Sequence, residues 1–160
     1  MGADLYIEKI YDKLRVQYEP EFKDAVLNRD TTTDPREKSR WQEKVDEAWD
    51  KMYDPSGYFR DSYNNTSIMC RLGISWWQDV TPMLDKKEYL QVPSIRLLKE
   101  MVSTVELKLP TEQELINDNC QVDEKNTVES WHRYYREKRE QLLQFLDNAL
   151  KMEEPILCSL

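Results

Sequence analysis

The chain has 160 residues, a formal net charge of −8 and a charged fraction of 34%, which describes one well-solvated domain over residues 1–160, long enough to bury roughly 70% of its extended-chain surface. Three glycines, far below the average usage of about 7%, disfavour turn-rich sandwiches and barrels and favour helices joined by short connections. Excess acid argues against nucleic acid and anionic membrane as expected partners, because the longest basic concentration, Arg133 to Arg139, is only a local patch.

Ile7, Ile10, Tyr11, Leu14 and Tyr18 share one helical face, so a first helix is expected from Asp4, with a short continuation after Pro20 and a loop over 28–33. The alternation from Ala3 to Ile7 also permits a short strand. Asp34-Pro35 with Glu37 supplies an N-cap, a proline at N1 and an acid at N3 for a helix ending at the turn Asp54-Pro55-Ser56-Gly57. Beyond it lies an irregular, aromatic-rich segment. Thr66 or Asn65 caps a short helix that ends at Leu72-Gly73, and a second short helix carries Trp76, Trp77 and Val80. Helices are then expected from Thr81-Pro82 to about Leu90 and from Pro93 to about Val105. Thr111 and Glu114 form a capping box for a short helix, and Thr127 caps a long one reaching about Met152. The expected fold class is all-α, a single-domain bundle of about six or seven helices with a long C-terminal helix. The apolar tail Ile156 to Leu160 either docks back onto this bundle or contacts a partner.

Charge is unevenly placed. Residues 1–54 carry 14 acids and 10 bases, residues 111–160 carry 11 and 6, and the middle is nearly neutral. No apolar run approaches the ~18 residues of a membrane span, and no secretory leader is visible. Cys70, Cys120 and Cys158 are widely spaced and odd in number, so neither a disulfide framework nor a zinc site is indicated, and the cytoplasm is the expected compartment.

The motifs for chemistry are incomplete. His132 is the only histidine. Its Glu129-x-x-His132 spacing cannot supply the second pair that a di-metal bundle uses, and no metal or cofactor is expected. Glycines at 2, 57 and 73 cannot make a phosphate loop. Cys70 beside Arg71 reads as a packed thiol or an activated one. Asp61 and Asp79 lie among aromatics, where they would serve either as an acid–base pair or as partners of Arg60 and Arg71. Trp76 and Trp77 point about 100° apart on a helix, so one is expected in the core and the other at the surface.

No complete catalytic set emerges, and no catalytic residue is assigned. The first expectation is a non-enzymatic cytoplasmic interaction module of inhibitor, immunity or adaptor type, whose acidic surface favours a basic protein partner. The alternative is a small-molecule-binding or hydrolytic domain built on Arg60, Asp61, Tyr63, Asn64, Trp76 and Asp79. A homo-oligomer is compatible with either.

Overall fold

A computed structural model describes residues 2–160. The chain is mainly helical but not all-α, because the N-terminal, middle and C-terminal segments meet in a four-stranded antiparallel sheet. Its strands are β1 (Gly2–Tyr6), β2 (Tyr58–Ser62), β3 (Tyr89–Leu90) and β4 (Ile156–Ser159), in the order β2-β1-β4-β3. The Ala3–Ile7 alternation is thus a strand. Leu5 pairs with Phe59 on one side and Cys158 on the other. The C-terminal tail docks, and it does so as an interior strand.

The helices are α1 (Glu8–Thr31), α2 (Pro35–Met52), α3 (Ile68–Arg71), α4 (Val92–Thr104), α5 (Glu112–Asn117) and α6 (Val128–Met152). Helix α1 begins four residues later than expected, because residues 2–6 are taken by β1, and it runs unbroken through Pro20. Proline there deprives the Val16 carbonyl of a donor. Val16 is 77% exposed, so water can replace it. Helices α2, α5 and α6 start where their caps lie: Asp34 accepts from Arg36 N–H, Thr111 and Glu114 complete both halves of the capping box, and Thr127 accepts from Ser130 N–H. The helix expected from Thr81 to Leu90 is corrected to a single 3₁₀ turn at Thr81–Met83. Asp85 then accepts from the backbone N–H groups of Lys87 and Tyr89, and Glu88 takes φ +66°, which turns the chain into β3.

One face of the sheet carries Leu5, Phe59, Leu90, Ile156 and Cys158 against Leu98 and Val102 of α4 and Leu142, Phe145, Leu146 and Ala149 of α6. Helices α1 and α2 stand apart from this core. They form an antiparallel hairpin whose principal contacts are with each other. Its seam is Ala25, Val45, Ala48 and Met52, braced by Phe22 against Trp49 and by an Arg29–Gln42–Asp46 hydrogen-bonded chain. At 24 residues α1 spans about 36 Å. The hairpin joins the body through aromatic rings on the sheet's second face, where Tyr6 and Tyr58 meet Tyr11 and Tyr53. Gly57 closes this joint: a Cβ there would lie 2.6 Å from Ile10 Cγ2, and its carbonyl accepts from Ile7 N–H.

Candidate functional site

The strand β2 places Phe59 and Asp61 inward and Arg60 outward. Asp61 is 5% exposed, and it does not stand as an available acid. Its Oδ1 accepts from Ile68 N–H at 3.0 Å. Its Oδ2 accepts from Ser67 Oγ at 2.5 Å, Met69 N–H at 3.3 Å and Trp76 Nε1–H at 2.9 Å. Four donors fill the roughly four lone-pair sites of a carboxylate. Ser67 is also the N-cap of α3, where Thr66 or Asn65 was expected, and its hydroxyl accepts from Cys70 N–H. Asp61 therefore fastens α3 and the Trp76 indole to the sheet edge. Burial of its charge is offset by charge-assisted hydrogen bonds.

Trp76 opens a π-helical turn at Trp76–Val80 rather than an ordinary short helix. The Ser75 hydroxyl accepts from Gln78 N–H, while Asp79 Oδ2 reaches back to Ser75 N–H at 2.7 Å. This is a capping box with the acid one place later than in an α-helix, as the wider turn requires. Trp76 is 3% exposed and Trp77 is 56% exposed, the division that their angular separation implies. Gly73 takes φ +68° after α3, the left-handed conformation that glycine adopts without steric cost.

The six residues singled out from sequence are not gathered around one opening. Tyr63, Trp76 and Asp79 line a cleft of about 320 Å³ together with Cys70 and Trp77. The Tyr63 ring lies 5.5 Å from that of Trp77, and its O–H is buried without a hydrogen-bond partner among the described residues. Burial, then Asp4, pushes the Tyr63 phenol above the usual tyrosine range. Arg60 and Asp61 instead border a separate depression of about 290 Å³, shared with Ser62, Tyr134 and Lys138. Asn64 lines neither. Its Oδ1 accepts from Ser62 Oγ and Thr66 N–H, shaping the loop after β2.

Sequence reasoning passed over Tyr134 and Lys138, which stand four apart on α6 within the basic patch at 133–139. Lys138 lies over the Phe59 ring, with Nζ 4.8 Å from its centroid. Burial, more than the counteracting pull of Asp61, sets the Lys138 ammonium below the usual lysine range, and Arg60 pushes it the same way.

The remaining chemical groups have structural partners. His132 Nε2–H donates to the Pro110 carbonyl at 2.7 Å. Arg71 pairs with Asp118 at 2.8 Å, not with Asp61 or Asp79, and lies over the Tyr135 ring. Cys70 is exposed at the cleft rim, whereas Cys158 is buried. Among the described residues no three His, Cys, Asp or Glu side chains gather as a metal-ligating group. No helix among them is long and apolar enough to cross a membrane. No family model, curated protein or solved structure matches this chain.

Proposed function

We propose that this protein is a non-enzymatic, cytoplasmic interaction module of inhibitor, immunity or adaptor type, and that its α1–α2 hairpin meets a basic protein partner. One observation carries this reading. Glu43, Asp46, Glu47 and Asp50 follow one another at helical spacing on α2, all exposed and opposite the seam of Val45, Ala48 and Met52. None of the four has an ion pair among the described residues. Two of the bases on the same helix are engaged elsewhere: Lys44 covers the Trp41 ring, and Lys51 pairs with Glu21. Such a ridge attracts a cationic surface over a Debye length and sets its orientation.

The test is affinity capture on the immobilised protein beside the variant E43Q/D46N/E47Q/D50N. A cationic protein should be retained by the original chain, released as ionic strength rises, and absent from the variant. Equal retention by both chains, or retention that ignores salt, would overturn the reading.

A second reading has its own support in the cleft beside Trp77. An exposed indole beside the tilted Tyr63 ring, whose own buried phenol has no partner among the described residues, suits a planar small molecule. Thermal-shift screening of metabolites against the native chain and W77A tests it: a stabilising ligand lost on W77A supports this reading, and an equal shift in both chains discards it.

A further inference from the structure

The depression between β2 and α6 is lined by donors whose usual acceptors are spent. Lys138 makes no hydrogen bond or ion pair among the described residues, although Asp61 shares the depression with it. The reason is that Asp61 is saturated by α3, Ser67 and Trp76. Arg60 reaches Asp4 Oδ1 only at 3.7 Å, and that same oxygen already accepts the Tyr58 hydroxyl, so the guanidinium keeps most of its hydrogen-bonding capacity. The Tyr134 hydroxyl has no partner among the described residues. Burial and then Asp61 hold its phenol above the usual range, which keeps it a donor. The Ser62 hydroxyl donates to Asn64.

A guanidinium, an ammonium and a phenol therefore border one depression with no available carboxylate. We propose that it binds the oxyanion group, carboxylate or phosphate, of a small metabolite. A volume of about 290 Å³ lies at the lower edge of ligand sites and suits a compact molecule. Arg60 supplies a planar fork of donors, Lys138 a point charge in partly desolvated surroundings, and Tyr134 a neutral donor one turn before Lys138 on α6. The site lies on the body of the molecule, apart from the acidic ridge of α2, and it does not depend on the partner proposed there.

The experiment is a titration of the full chain, followed by amide chemical shifts, with inorganic phosphate and separately with succinate at constant ionic strength. The expected result is saturable movement of the Arg60, Ser62, Tyr134 and Lys138 signals. Saturation by phosphate alone identifies a phosphate-bearing ligand, and saturation by succinate alone a carboxylate-bearing one. The variant K138M keeps an apolar stem over Phe59 while removing the charge, and it should bind about tenfold more weakly. R60Q gives an independent second test on an exposed side chain, and thermal melting verifies that both variants are folded. Absence of saturation with either ion at tens of millimolar would overturn the proposal. So would binding to folded K138M and R60Q with unchanged affinity.

Discussion

The Trp76 indole N–H donates to Asp61 Oδ2 at 2.9 Å, bridging the π-helical turn and the edge strand β2. Asp61→Ala strands four buried donors at once, three of them at the start of α3 and one on the indole. The expected loss is about 3 kcal/mol, since each unpaired buried group costs roughly 1–3 kcal/mol and α3 can partly relax. At this chain length that corresponds to a fall in Tm of about 6–12 °C. Asp61→Asn should recover only part of it, because one oxygen becomes a donor facing N–H groups. Urea unfolding followed by tryptophan fluorescence measures both. A change below about 0.5 kcal/mol for the alanine variant, the range of ordinary surface substitutions, would contradict the bracing role.

Gly57→Ala forces a Cβ to within 2.6 Å of Ile10 Cγ2 at the junction of hairpin and body. Overpacking of this kind costs about 1–3 kcal/mol. Ile10→Ala removes the opposing methyl groups, so the double variant should be less damaged than the sum of the singles, with a coupling of at least about 0.5 kcal/mol. Strict additivity would show that the close approach is relieved elsewhere.

The three thiols should separate by rate. Cys70 is exposed and Cys158 fully buried, with burial pushing the latter thiol up to about 12. Against a disulfide reagent at pH 8, Cys70 should react first, Cys120 later, and Cys158 only on unfolding. Because the folded-state value of Cys158 lies above the unfolded value of about 8.5, its contribution is fully present below pH 8.5 and declines as pH rises toward 12. Fast labelling of Cys158 in the native chain would contradict the placement of β4.

Asp147 on α6 accepts from Lys99 of α4 at 2.6 Å and is within 2.9 Å of Lys151, and these lysines lower its carboxyl to about 2. The stabilisation is present above the unfolded value of about 3.9 and is lost as pH falls through about 2. Asp147→Asn should therefore be less stable than the original chain at pH 6, with the gap shrinking steadily as pH falls from about 4 to 2. Thermal melts across that range check the convergence, and a gap at pH 2 as large as at pH 6 would contradict it.

What could be read from the sequence follows from how local each determinant is. Asp34-Pro35, Thr111 with Glu114, and Thr127 act within one helical turn, so the starts of α2, α5 and α6 are visible without tertiary information. The sheet is not local. Its β1–β4 pairing joins Leu5 to Cys158, and β3 is only two residues long, too short to show a period. Strand β2 hides for a different reason. Its inward positions are Phe59 and Asp61, and a carboxylate at a core position reads as surface unless Ser67 and Trp76 are known to face it. The candidate site shows the same split. Arg60 and Asp61 stand out by composition, whereas Tyr134 and Lys138 join Arg60 only because α6 packs beside β2.

Strand β4 is an interior strand between β1 and β3, although about 150 residues separate it from β1. During synthesis, β1 and the hairpin leave the ribosome long before residues 156–159 exist. The β1 edge must then wait with unpaired N–H and C=O groups, held on its other side only by β2. Ordering by sequence distance therefore predicts a slow final step in which β4 closes the sheet, and a nascent chain stalled before Ile156 presents a ready template for strand exchange with another copy.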